Sequence, residues 1–366
     1  MNGEIHLKVR AVLNSFKPYE WEPTAEAISA EFGIEAERVL RFDTNTLPFI
    51  PSKVLSELSN VLSNLKVNEY PDTSYASLRE SISKYTSASI DQISVTNGAD
   101  EALDIIVKTF VDAGSIVVTS EPTYSMYRVT AEIMGGKVIQ VPRNRDFSDD
   151  VDSVIRTAKE ARSIFLCSPN NPTGNSTRRE DVTRLLREVD LPVVVDESYF
   201  EFCGKTVADL VKKHENLIVV RTLSKAFGLA GIRVGYVLAN LETIKALNRV
   251  RPPNSVGVIS AILAKFALEN VSYMRKNVEF IIGERERLVR ALKELDALHV
   301  YPSEANFILI KFKHLSGSEA HKKLLRLGIV TRDVSSLPML KHCIRVTVRN
   351  PDENNKLLEA LGKITS

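Results

Sequence analysis

Pro192-Val193-Val194-Val195-Asp196-Glu197-Ser198-Tyr199 is the stretch on which the fold reading turns. Three consecutive valines carry no polar alternation, so a strand built from them is apolar on both faces. Such a strand lies in a sheet covered by helices on both sides. The run ends abruptly in a carboxylate. Asp196 emerges from an apolar wall, where a charge is costly unless something cationic meets it.

The same rhythm extends outward. Short apolar runs at residues 93–96, 116–119, 137–141, 163–167, 217–220 and 233–238 alternate with helical patterns at 99–110, 124–134, 151–161 and 178–189. Strand, helix, strand in succession predicts an α/β fold, with a large domain whose mainly parallel sheet is flanked by helices. The C-terminal third changes character. Residues 255–295 read as one long helix, followed by a strand at 307–312, a helix at 318–327, strands near 329–332 and 343–348, and a last helix from Pro351. This predicts a smaller α+β domain. An amphipathic helix at about 24–31, stopped by Gly33, is assigned to the same small domain. The expected division is 1–44 as an N-terminal part of the small domain, 45–255 as the large domain and 256–366 as the small C-terminal domain.

Composition bounds the function. The 366 residues hold 48 Lys plus Arg against 46 Asp plus Glu, a net charge of +2. That balance argues against a protein that coats nucleic acid or anionic membrane. The apolar stretch around residues 256–264 is too short to span a bilayer. Met1 to Arg10 mixes Glu4, His6, Lys8 and Arg10 with apolar residues, which predicts no secretory leader. Cys167, Cys203 and Cys343 are an odd, scattered set, so neither a disulfide framework nor a metal site is expected. A cytoplasmic, reducing setting follows.

In an open parallel sheet, ligands bind where strands end. After the first run, Asn97-Gly98-Ala99-Asp100-Glu101 opens a helix whose free N–H groups suit an anion; taken alone it is an ordinary helix start. After the fourth, Ser168-Pro169-Asn170-Asn171-Pro172-Thr173-Gly174 is a stiff turn that fixes where Asn171 points, or simply a solvent-facing Pro/Gly loop. After the fifth comes Asp196. After the sixth, Thr222-Leu223-Ser224-Lys225-Ala226-Phe227-Gly228-Leu229-Ala230-Gly231-Ile232-Arg233 offers hydroxyls and a guanidinium for a phosphate, and an amine among small and apolar neighbours. Four strand ends thus supply an anion cradle, a positioned amide, a buried acid and a nucleophilic amine. That set fits pyridoxal 5'-phosphate, whose carbonyl takes a lysine and whose ring nitrogen takes a carboxylate.

The last three of these motifs, around Asn171, Asp196 and Lys225, resemble those of the fold-type I aminotransferases, most closely the histidinol-phosphate aminotransferases. The similarity covers nearly the whole chain, including Asn45-Thr46-Leu47-Pro48, Tyr70-Pro71-Asp72, Pro122-Thr123-Tyr124 and Cys343-Ile344-Arg345-Val346-Thr347. The resemblance implies that Lys225 binds the cofactor and moves the substrate proton, that Asp196 faces the ring nitrogen, and that Tyr199 and Asn171 reach the phenolic oxygen. It puts Tyr124 on the ring face and Ala99, Asp100, Thr222, Ser224 and Arg233 around the phosphate. Tyr70 would reach the phosphate of a neighbouring subunit, which implies a homodimer with shared active sites. Arg345 would grip a substrate carboxylate; without the match it would read as a strand-edge arginine. Asn45, Asn171, Arg332 and Tyr19 would complete the substrate site, with no metal.

The implied reaction moves an amino group from L-histidinol phosphate to 2-oxoglutarate, an amino donor and a 2-oxo acid acceptor. An aromatic-amino-acid aminotransferase and a threonine-phosphate decarboxylase are the alternatives. A ligand sensor with a DNA-binding module and a nucleotide-binding Rossmann protein rank lower; the latter lacks a G-x-G-x-x-G turn after its first strand. Three departures from the pattern bear on specificity. Arg349-Asn350-Pro351 replaces a glycine turn, Leu47 replaces a second asparagine, and Tyr19-Glu20-Trp21-Glu22-Pro23 is acidic for a rim that admits a phosphate.

Overall fold

The computed structural model describes residues 9–14, 18–19 and 22–365. The first strand, β1 (Leu40–Arg41), is two residues long. The main sheet follows with β2 (Ile93–Thr96), β3 (Ile116–Glu121), β4 (Lys137–Pro142), β5 (Ala161–Cys167), β6 (Val193–Asp196), β7 (Leu217–Thr222) and β8 (Gly235–Leu238). The remaining strands are β9 (Leu298–Val300), β10 (Phe307–Phe312), β11 (Ile329–Val330), β12 (Arg332–Asp333) and β13 (Cys343–Thr347).

The seven-stranded sheet has the order β2-β8-β7-β6-β5-β3-β4. Only β8 runs against its neighbours, so the sheet is mainly parallel. The valine triplet explains why β6 lies near its middle. Val193 and Val195 face one core, with Ile164, Leu166 and Val219. Val194 faces the other, with Phe165, Ile218 and Val220 against helix Gly98–Phe110. All three valines are at most 1% exposed. Burying such a side chain contributes about 1.5–3 kcal/mol, which holds the sheet rigid where its strands end.

A second, antiparallel sheet has the order β12-β13-β10-β9. The N-terminal part of the chain joins the C-terminal third through β1, which pairs in parallel with β11 in a separate two-stranded sheet. Helix Ala25–Phe32 precedes β1. Thr24 Oγ1 accepts from the Ala27 N–H at 3.2 Å to start it, and Gly33 closes it at φ 66°.

Two local expectations change. The single helix over 255–295 is two helices, Val258–Glu269 and Val271–Lys293, joined at Asn270. Asn270 leaves helical geometry at φ −116°, ψ 41°, and its amide donates to Phe266 O at 2.8 Å. A side-chain bond to the backbone there competes with the helix ladder. The strand expected from Arg233 begins at Gly235, because Arg233 is left-handed at φ 52°. Among the described residues no helix is long and apolar enough to cross a membrane.

Gly235 sits opposite Thr96 in the β2–β8 pair. A Cβ there would lie 2.6 Å from the Gly98 carbonyl carbon and 2.9 Å from the Ala99 nitrogen. The bare backbone lets the helix N-terminus seat against the sheet. Gly235→Ala is therefore expected to lower stability by about 1–3 kcal/mol, read as a shifted urea midpoint at unchanged slope.

Candidate active site

The carboxyl ends of β2, β5, β6 and β7 converge on a cavity of about 290 Å³. Ala99, Asp100, Tyr124, Asn171, Asp196, Tyr199, Thr222, Ser224, Lys225 and Arg233 line it from the main sheet. Tyr19 and Asn45 line it from the N-terminal part, and Arg332 and Arg345 from the second sheet. Tyr70 is not among the lining residues; it is 86% exposed.

Asp196 is 4% exposed. Its Oδ1 accepts from the Ser198 N–H at 2.9 Å and the Ser198 hydroxyl at 2.6 Å. Its Oδ2 accepts from the Tyr127 hydroxyl at 2.8 Å. Burial pushes the carboxyl above its ordinary range, against the pull of these bonds. Tyr127 was not singled out in the sequence. It lies three residues after Tyr124, and that spacing was the available signal. Its ring stacks on Phe165 at 5.5 Å and meets the edge of Tyr124 at 5.8 Å.

Lys225 is half-buried, and its Nζ donates to Thr44 O at 3.0 Å. Burial, followed by the nearby Arg345 guanidinium, holds the amine down to about 8. A substantial neutral fraction near neutral pH makes it a competent nucleophile and base. Beside it, Tyr199 is 5% exposed and its hydroxyl accepts from Asn45 Nδ2 at 3.0 Å. The Asn45 backbone N–H in turn donates to Thr347 Oγ1 at 2.9 Å.

The anion cradle is built from three directions. The N-terminus of helix Gly98–Phe110 offers the N–H groups of Ala99 and Asp100. Thr222 Oγ1 and Ser224 Oγ lie 2.9 Å apart. Arg233 reaches Ser224 Oγ at 3.4 Å and Asp100 Oδ2 at 3.3 Å. A Cβ on Gly98 would lie 2.7 Å from Arg233 Nη2, so glycine makes the room. The Asp100 carboxylate faces Arg233 and accepts from the Tyr124 hydroxyl at 3.1 Å. Only the backbone of Asp100 therefore suits an anion.

Arg345 lies on β13, between β12 and β10, and not on a sheet edge. It is 7% exposed. Its guanidinium donates to Asn171 Oδ1 at 2.6 Å and to the Asp43 carbonyl. Arg332 is its cross-strand partner. Arg332 lies over the Tyr19 ring at 5.0 Å and donates to Glu22 Oε1 at 3.2 Å. Burial raises the Glu22 carboxyl, while His321 and Arg332 pull it down. Of the acidic rim expected at 19–23, Glu20 and Trp21 lie outside the described residues, as does Lys17. Arg349 pairs with Glu353 at 2.9 Å and does not line the cavity. Leu47 is buried beneath Gly228.

The donor set has a consistent chemistry. A cradle of N–H groups, hydroxyls and a guanidinium suits a phosphate ester, a buried carboxylate suits a protonated ring nitrogen, and a depressed amine suits an aldehyde. These are the demands of pyridoxal phosphate, and the residues fit it.

Fold and pocket together define an amine-handling enzyme built around a lysine and a carbonyl cofactor. Residues 37–361 match the family model Aminotransferase class I and II, and the chain belongs to that family of pyridoxal-phosphate enzymes. It is 39% identical to the histidinol-phosphate aminotransferase of Thermococcus gammatolerans over 357 residues, 97% of each chain. Its fold matches the crystal structure of histidinol-phosphate aminotransferase from Sinorhizobium meliloti in complex with pyridoxal-5'-phosphate. The TM-score is 0.88 at 25% identity, over 98% of this chain and 97% of that one. L-threonine-O-3-phosphate decarboxylase from Porphyromonas gingivalis matches with a TM-score of 0.78 at 26% identity, over 89% and 99%.

The raised Asp196 carboxyl has a stability consequence. A carboxyl whose folded-state pKa lies above its unfolded value costs stability as pH rises past the unfolded value, and in full above the folded-state one. The penalty vanishes below the ordinary carboxylate range. Asp196→Asn is therefore expected to raise the melting temperature of the cofactor-free protein at pH 8. The gain should close as the pH falls to about 4.

Proposed function

We propose that the chain transfers the amino group of L-histidinol phosphate to 2-oxoglutarate, giving imidazole acetol phosphate and L-glutamate. The observation that carries this reading is the cross-strand pair Arg332–Arg345, which lines the same cavity as Asp196 and Arg233. Two guanidiniums suit substrates that each carry an anionic group beyond the reacting carbon. The likeness to the Thermococcus gammatolerans enzyme supports the same substrate.

When bound, pyridoxal phosphate supplies a carbonyl that takes the amino group and a ring that accepts the electron pair left at the donor Cα. Ala99 and Asp100 N–H, Thr222, Ser224 and Arg233 would hold its phosphate. Asp196 would keep a proton at the ring nitrogen. Tyr199 and Asn171 would hydrogen-bond the phenolic oxygen, and Tyr124 would cover the ring. Lys225 Nζ would take the proton from the donor Cα and carry it to the cofactor's carbonyl carbon. Arg345 holds the glutamate carboxylate, while Arg332, Tyr19 and Asn45 address the donor's distal end. Tyr70 serves the partner copy, so the working unit is a homodimer in the cytoplasm. In this reading residues 45–255 bind the cofactor, while 1–44 and 256–366 close over the substrate.

The likeness to the Porphyromonas gingivalis decarboxylase keeps threonine phosphate as the second substrate reading, since it carries on one molecule both a phosphate and a carboxylate. A donor screen with histidinol phosphate, threonine phosphate and phenylalanine decides. Glutamate formation only with histidinol phosphate supports the proposal; carbon dioxide release from threonine phosphate, or turnover of phenylalanine alone, rejects it.

Two substitutions test the assigned roles. Lys225→Ala is expected to lower amino-transfer turnover by at least about a thousandfold, measured by glutamate release. Arg332→Ala is expected to lower kcat/KM for phosphorylated donors by about 10–100-fold, with a smaller loss for phenylalanine.

A further inference from the structure

The far end of the cavity holds a carboxylate that no step above uses. Glu22 Oε1 accepts from Arg332 Nη1 at 3.2 Å, and Glu22 Oε2 lies 3.3 Å from His321 Nε2. His321 Nδ1 in turn meets Thr331 Oγ1 at 3.1 Å. The Glu22 side chain is 11% exposed and lines the same cavity as Arg332. The backbone beside it is pinned as well. Arg41 Nη1 donates to Pro23 O at 2.7 Å, and the same guanidinium is clamped to Asp43 at 2.8 and 2.6 Å. Glu22 is thus fixed from its side chain and from its backbone.

An anion approaching Arg332 meets a fixed negative charge one hydrogen bond away from the same guanidinium. The geometry points to Glu22 as a specificity-determining residue, a built-in counter-anion that competes with an anionic substrate group for Arg332. This rests on the reading of Arg332 as the contact for such a group. Coulomb repulsion scales with the product of the charges, so a phosphate dianion is opposed about twice as strongly as a carboxylate. Glu22 therefore narrows the preference of the site for phosphorylated over carboxylate ligands. The arrangement also suits turnover, because a phosphorylated product leaves a guanidinium that already has a second partner waiting.

Glu22→Gln keeps the size and an acceptor for Arg332 while removing the charge, so it separates competition from bracing. The probe is inorganic phosphate on the cofactor-loaded enzyme, read by calorimetry and as an inhibitor competitive with the amino donor. Relative to the unsubstituted protein, Glu22→Gln is expected to tighten phosphate binding about 3–10-fold. The ratio of kcat/KM for phosphorylated over carboxylate donors should rise by a similar factor, mainly through KM. Arg332→Gln is measured beside it and should weaken phosphate binding. Weaker or unchanged phosphate binding in Glu22→Gln, with Arg332→Gln weakened as expected, overturns the competition and leaves Arg332 as an anion contact. Unchanged phosphate binding in Arg332→Gln removes the anion contact itself, and the role of Glu22 with it.

Discussion

The structure turns on keeping one carboxylate charged inside an apolar sheet. Asp196 ends β6, whose three valines are buried on both faces. Isolated there, it would take up a proton. Two donors from Ser198 and one from Tyr127 oppose that, and each bond to a charged acceptor contributes about 1.5–3 kcal/mol. Burial still leaves the carboxyl above its ordinary range in the protein alone. In the proposed reading a cationic ring nitrogen would be the partner that restores the balance.

The other elements of the pocket follow from that demand. In the proposed reading, a cofactor whose ring nitrogen faced Asp196 would find its phosphate donors at the end of β7 and the helix after β2, where Thr222, Ser224 and Arg233 line the same cavity. Lys225 then has to be close enough to react yet not permanently charged. Burial and Arg345 together hold it down to about 8. The guanidinium proposed for a substrate carboxylate thereby also tunes the amine. In that reading one cation would do two jobs, because both groups lie in one small cavity of low dielectric.

Most of the cofactor half of this site was legible in the sequence, because strand ends in a parallel sheet share one rim. The valine triplet, the Pro/Gly turn around Asn171 and the Lys225 loop each announced a strand end. Tyr127 was not legible as a partner of Asp196, since a tyrosine in a helical run looks the same whether it packs or donates. The break at Asn270 was hidden because no Gly or Pro marks it. The Glu22–Arg332 contact spans 310 residues and depends on β1 pairing with β11. Composition flagged an acidic rim but had no means to say which arginine it meets. Arg349, conspicuous in the sequence, turns out to pair with Glu353 in the helix that follows it.

The bond between the Asn45 N–H and Thr347 joins positions 302 residues apart. Asn45 in turn steadies Tyr199. Contacts of such long sequence separation must meet the entropy of closing the intervening loop before they form. The corner behind Tyr199 therefore depends on the second sheet as much as on the main one, and a disturbance of β13 is felt at a tyrosine far from it in sequence.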